Sequence, residues 1–178
     1  MKRILLLLGL FIVAFLEIRQ VFNFPSSANS NKRIEVTKEA TTTGKITAGE
    51  MARVASVIDG DTIDLTDGRR VRYIGIDAPE TAHEGKPSEC FGNESKEENK
   101  RWVVGKTVRL EIDVSATDAY GRLLRYVYVG DTMVNEMLVI GGFARAWNVL
   151  PDEKQADAFL AAQFEAREMS RGLWGLCR

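Results

Sequence analysis

The stretch VRYIGIDAPET occupies residues 71–81, and how it is read decides how the rest of the chain folds. Val71, Tyr73, Ile74 and Ile76 are β-branched or aromatic, the composition of a buried strand. Yet the same run carries Arg72 and closes on two carboxylates, Asp77 and Glu80, with Pro79 between them. Arg72 and Asp77 stand five residues apart, which is ~17 Å on a straight strand. Arginine's reach closes only part of that distance, so the two serve one site only if the strand curls sharply. Gly75 lies between them and is the natural place for a bulge or bend. A tightly curled barrel strand supplies such curvature; a flat sheet does not.

The flanking segments agree with a small barrel. Residues 53–58 (RVASVI) alternate as a strand, and Ile63 to Leu65 continue strand-like. Thr66-Asp67-Gly68-Arg69 places Asp-Gly between apolar runs, a hairpin signal. A polar loop over 81–91 holds Gly85, Pro87 and His83, which reads as a surface residue. The spacing predicts a helix over 93–104, stopped by Gly105. Val108, Leu110, Ile112 and Val114 alternate on one face of a strand over 107–114. Asp118 to Arg122 is a turn, and Leu123 to Val129 a further strand. Thr132 is placed to cap a short helix ending at Ile140, before Gly141-Gly142. Asp152 and Gln155, after Pro151, resemble a capping box. The helix expected from there to about residue 170 carries Ala156, Phe159, Leu160, Gln163 and Phe164 on one stripe. Short strands joined by tight turns suggest an antiparallel sheet, and five of them can close into a barrel of the OB type.

The first part of the chain has a different character. Lys2 and Arg3 precede thirteen apolar residues, Ile4 to Leu16. That is the pattern of an export signal, and it is short for a membrane span, which needs roughly 20 residues. Residues 1–24 therefore read as a signal peptide or short membrane anchor that meets the membrane during export or afterwards. Residues 25–49 are rich in Ser, Thr, Asn, Ala and Lys and read as a flexible linker. The folded domain is expected over 50–178, outside the cytoplasm.

Charge limits the partners. The chain carries 24 basic and 25 acidic residues, and without residues 1–28 its net charge is −3. No general positive field would hold a polyanion. Nucleic acid would have to be held by local arginines and a cation. The two cysteines, Cys90 and Cys177, are a possible disulfide in an exported protein.

Three segments carry candidate chemistry: IDGDT (58–62), the opening stretch, and DAYGR (118–122). Asp61, Asp77 and Glu80 offer hard oxygen donors of the kind Ca²⁺ accepts. No Cys/His cluster has zinc spacing. Arg72 and Arg122 offer planar forks that match phosphate oxygens. Carboxylate metal ligands beside two arginines suit phosphodiester cleavage, because the attacked phosphorus gains negative charge in the transition state.

These segments, together with VNEMLV (134–139) and GLWG (172–175), resemble the thermonuclease family of staphylococcal-nuclease-like domains over about residues 53–175. The resemblance implies an α+β fold: a five-stranded OB-type β-barrel with three α-helices. It implies a Ca²⁺-dependent endonuclease with little sequence preference that cuts DNA and RNA and leaves 3′-phosphate ends. Single strands would be preferred, and the protein would be a monomer. Matched residue by residue, Asp61 and Asp77 would ligate Ca²⁺ directly and Ala78 through its backbone carbonyl. Glu80 would act on the attacking water, Arg72 and Arg122 would clamp the phosphate, and Tyr120 would contact a terminal phosphate. Ala78 replaces a frequent threonine, and Ala119 stands where a phosphate-contacting lysine can occur. Asn148 and Leu150 replace the family's base-contacting tyrosines. Trp147, in the same stretch, is expected in the core, a stacking face being the other reading. The alternative function is a non-catalytic OB-type nucleic-acid-binding or interaction module, against which the presence of all five acidic and arginine positions argues.

Overall fold

A computed structural model of the chain describes residues 49–83 and 85–177. The segments expected as export signal or anchor and as linker lie outside the described residues, except for Gly49. The first strand, β1, is Glu50–Val57, followed by β2 (Thr62–Leu65), β3 (Arg70–Tyr73) and β4 (Ile76–Asp77). Then come α1 (Gly92–Val103), β5 (Thr107–Glu111), β6 (Leu123–Val129), β7 (Thr132–Met133) and α2 (Val134–Ile140). The chain closes with β8 (Arg145–Ala146), α3 (Ala156–Glu168) and α4 (Leu173–Leu176).

Strand β1 is long enough to serve two neighbours. Its first half pairs antiparallel with β5 (Ala52 opposite Val108) and its second half with β2 (Val57 opposite Ile63). A register shift between Val54 and Ser56 marks the bend where it passes from one neighbour to the other. The β2–β3 hairpin turns at Asp67-Gly68, with Gly68 at φ +89°, a conformation glycine adopts without a Cβ penalty. β3 then pairs parallel with β6, Val71 opposite Leu123, and closes a barrel in the order β3-β2-β1-β5-β6. The α+β, OB-type architecture is therefore the observed one, but the barrel is mixed rather than wholly antiparallel. The closing pair joins strands far apart in sequence, so nothing local announces its direction.

Val54, Ile63, Val71, Val108, Leu110 and Val127 fill the barrel, and Val103, Leu138, Val139 and Phe159 of the helices close over it. The three longer helices are joined by α4, one further short turn of four residues. Asn135, fully buried, binds the layers together: it accepts from the Val127 amide (2.9 Å) and donates to the Ile74 carbonyl (2.9 Å).

Several local expectations are corrected. β5 ends at Glu111, and Ile112 and Val114 are exposed. The reason is Asp152, whose carboxylate accepts from the Val114 and Ser115 amides (2.9 and 2.8 Å) and draws that segment off the barrel. Asp152 is thus not a helix cap, and α3 starts at Ala156. Thr132 pairs with Val129 in a hairpin, so α2 begins two residues later, at Val134. On α3 the buried residues are Phe159, Ala162 and Ala166, whereas Leu160 and Phe164 are 50% and 67% exposed. Close packing of α3 on α2 favours small side chains at the contact. Gln163 faces inward but donates nothing to the apolar core: its side-chain oxygen accepts from the Ala146 amide (3.0 Å). Trp147, expected in the core, is 59% exposed. It follows the two-residue strand β8, and its amide donates to the Gly75 carbonyl (2.8 Å) while its side chain lines a surface cavity.

Candidate active site

The turn between β1 and β2 is built to present Asp61. The Asp59 carboxylate accepts from the Asp61 amide (3.0 Å), and the Asp59 carbonyl accepts from Asn99 on α1 (3.2 Å). Between them Gly60 packs so tightly that a Cβ there would fall 2.4 Å from the Ala78 Cβ and 2.8 Å from that of Ser95. Asp61 is only 4% exposed. Its Oδ2 accepts from the Ala78 amide (2.7 Å) and its Oδ1 from the Thr62 hydroxyl (3.1 Å). Burial pushes its carboxyl up to about 8, with Arg72 and the Ala78 amide pulling the other way. Charge on so buried a carboxylate is costly unless a cation lies against it.

Arg72 is that cation. Its Nε lies 3.1 Å from Asp61 Oδ1 and its Nη2 donates to Asp77 Oδ1 at 3.0 Å. Its Nη1 donates to the carbonyls of Tyr73 (2.8 Å) and Ile76 (2.7 Å). This fold-back depends on the bend at Gly75 (φ +76°), where a Cβ would also strike the Phe159 ring at 2.5 Å. β3 ends before the bend, and β4 beyond it leaves the barrel to pair with β8, Asp77 opposite Arg145.

Glu80 follows on a segment fastened by its own backbone. Its carbonyl accepts from the Glu89 amide (2.9 Å) and the Ser88 hydroxyl (3.2 Å), and its amide donates to Glu89 Oε2 (3.2 Å). A Cβ on Gly92 would come within 2.3 Å of that same carbonyl. The Glu80 carboxyl is pushed up by burial and then by the charge of Asp59, with His83 and Arg72 pulling the other way. Next to this segment the Cys90 and Cys177 sulfurs are bonded (S–S 2.02 Å), fastening it to the end of the chain.

The turn before β6 holds Arg122 through Asp118. Asp118 Oδ1 accepts from the amides of Tyr120 and Arg122 (2.9 Å each), and Oδ2 accepts from Arg122 Nε (2.6 Å). Burial alone would raise the Asp118 carboxyl, but the Arg122 contacts outweigh it and hold the group low. Tyr120 is 87% exposed, and its ring centroid lies 5.6 Å from the Arg122 guanidinium carbon.

Arg72, Arg122, Asp118 and Trp147 line one cavity of about 220 Å³. The structure thus brings Asp61, Arg72, Asp77 and Ala78 into contact and sets Arg72 and Arg122 around a shared space. Tyr120 stands on the rim of a neighbouring groove. His83 is exposed, with its ring against the Thr81 carbonyl. Asp118, which holds Arg122, is a residue that the sequence does not single out, although its four-residue spacing to Arg122 across a Tyr-Gly turn is a usable signal.

Among the described residues, no three His, Cys, Asp or Glu side chains close into a ready-made metal cluster. Two carboxylates converge on a guanidinium instead. The side chains that converge there offer oxygen donors, the chemistry a hard cation accepts.

Residues 70–175 match the family described as staphylococcal nuclease homologues. The chain is 39% identical over 125 residues to a thermonuclease of Staphylococcus hyicus, covering 68% of this chain and 74% of that protein. It is 40% identical over 129 residues to a thermonuclease of Staphylococcus intermedius, covering 71% and 77%. Endonuclease YncB of Bacillus subtilis (strain 168) is 34% identical over 158 residues, covering 84% of this chain and 66% of that protein. With its barrel, its bent β3–β4 segment and its paired arginines, the chain belongs to the staphylococcal nuclease family and is a nuclease.

Proposed function

We propose that the protein is a Ca²⁺-dependent endonuclease that hydrolyses DNA and RNA, preferably single-stranded, and leaves 3′-phosphate ends. The observation that carries this reading is the Arg72 guanidinium lying between Asp61 and Asp77 on a cavity shared with Arg122. Asp61, Asp77 and the Ala78 carbonyl would hold Ca²⁺. Bound there, the ion would supply positive charge against the phosphate oxygens.

The chain's own groups account for the remaining steps. Arg72 and Arg122 grip the non-bridging oxygens and stabilise the charge that grows on them in the transition state. Asp118, bonded to Arg122 Nε, leaves the outer edge of that guanidinium free for the phosphate. Glu80, whose carboxyl burial holds above its ordinary value, orients the attacking water and accepts its proton. Water's oxygen bonds to phosphorus, the bond to the 5′ oxygen breaks, and that oxygen takes up a proton from solvent while Glu80 gives its proton back to solvent, which leaves a 3′-phosphate and a 5′-hydroxyl. Contacts confined to phosphate carry no base information, in keeping with little sequence preference. A disulfide beside the site accords with action outside the cytoplasm.

The test is digestion of single-stranded DNA and RNA with Ca²⁺ and with a chelator, followed by end analysis of the products. Cutting only with Ca²⁺, with phosphate on the 3′ ends, is the expected result. Equal cutting in both conditions, or none in either, would reject the reading.

A further inference from the structure

An open groove of about 1100 Å³ adjoins the catalytic cavity, and Arg122 lines both. Its charged lining is Arg69, Arg70, Arg122 and Asp64; Arg69 is engaged by Asp67 and Glu50 and Arg122 by Asp118, which leaves Arg70, on Asp64, as the arginine whose guanidinium edge faces the groove without a second acid. The strand geometry gives this surface an order. Side chains two apart on a strand share a face, so Arg70 lies on the same face of β3 as Arg72, about 6.6 Å further along. β3 pairs in parallel register with β6, Val71 beside Leu123 and Arg72 beside Leu124. One step earlier in that register, Arg70 comes level with Arg122.

The two outer arginines are held in the same manner. Asp64 takes Nε and Nη2 of Arg70 (2.7 and 3.1 Å), as Asp118 takes Nε of Arg122. In each case a carboxylate orients the rear of the guanidinium. Nη1 of Arg70 has no hydrogen-bond partner among the described residues. The Arg70–Asp64 pair is solvent-exposed, and such pairs are worth only ~0–1 kcal/mol, so a phosphate displaces little by joining it. Exposed Tyr120 stands on the rim, an aromatic face of the kind on which bases stack.

We propose that this groove binds the nucleic-acid strand beyond the scissile phosphate, with Arg70 contacting a flanking phosphate. The inference rests on the nuclease reading above and extends it to the length of strand the protein engages. It makes Arg70 a binding residue and gives long strands an advantage that short ones lack.

The experiment compares cleavage of a long single-stranded oligonucleotide with cleavage of a dinucleotide, using the full chain and its Arg70→Ala and Arg70→Lys variants. Arg70→Ala is expected to raise KM for the long strand about 5- to 10-fold while leaving kcat, dinucleotide cleavage and the melting temperature unchanged. The slope of log kcat/KM against log salt should flatten by about 0.7, the increment for one phosphate contact on a single strand. Arg70→Lys should restore most of the slope. Unchanged KM and slope for the long strand, or equal losses on both substrates, overturns the proposal while the nuclease reading stands. A wild-type chain that cleaves neither substrate removes that reading, and this one with it.

Discussion

At the residue scale, Arg72 and Glu80 separate two kinds of importance. Glu80 is not part of the apolar core, so Glu80→Gln is expected to leave the melting temperature in place while lowering kcat on single-stranded DNA by about 10²-fold or more. Arg72→Ala should lower kcat by a similar factor. It should also destabilise the metal-free protein by about 1–3 kcal/mol, because buried Asp61 and two carbonyls lose their partner. Paired kinetics and urea denaturation check both statements; full turnover by either variant would refute the roles given to them. Residues of this kind are legible in the sequence because acids and arginines that close an apolar strand add nothing to its packing. Asp118 is not legible in that way, since its work is to hold another side chain, and only coordinates show Arg122 Nε 2.6 Å from its carboxylate. For Trp147, size and apolarity favour burial, while a strand as short as β8 gives its successor nothing to pack beneath.

Among the elements, those with a strong period are readable and those decided by a distant partner are not. The β2–β3 hairpin follows from Asp67-Gly68, and the bend at Gly75 from the need to bring Arg72 back to Asp77. The parallel β3–β6 closure, the early end of β5 and the late start of α3 all depend on long-range contacts. Asp152 is the test case. Burial would raise its carboxyl, but the Ser115 and Val114 amides outweigh that and hold it below the ordinary value of 3.8. A depressed folded value means that its stabilisation is present above the unfolded value and fades as pH falls through the folded one. Asp152→Ala should therefore cost about 2 kcal/mol at neutral pH, and the gap to the parent should narrow in acid, as read by urea midpoints. A gap that is constant with pH would mean that charge plays no part.

Considered as a whole, the molecule is a barrel in which the segment beside the candidate active site is covalently tied to residue 177. The Cys90–Cys177 bond spans 87 residues of sequence, and closing a loop of that size stabilises by up to about 4.6 kcal/mol in the chain-entropy account. Reduction, or Cys90→Ser with Cys177→Ser, is expected to lower the melting temperature by about 4 °C for each kcal/mol lost; an unchanged melting curve would show that the bond contributes no stability. The same link has a consequence for survival among proteases. The exposed turn around Tyr120 lies inside the covalent ring, so a single cut there opens the backbone without shedding a fragment. Both halves of the barrel, and the arginine each contributes, stay tethered and ready to re-dock.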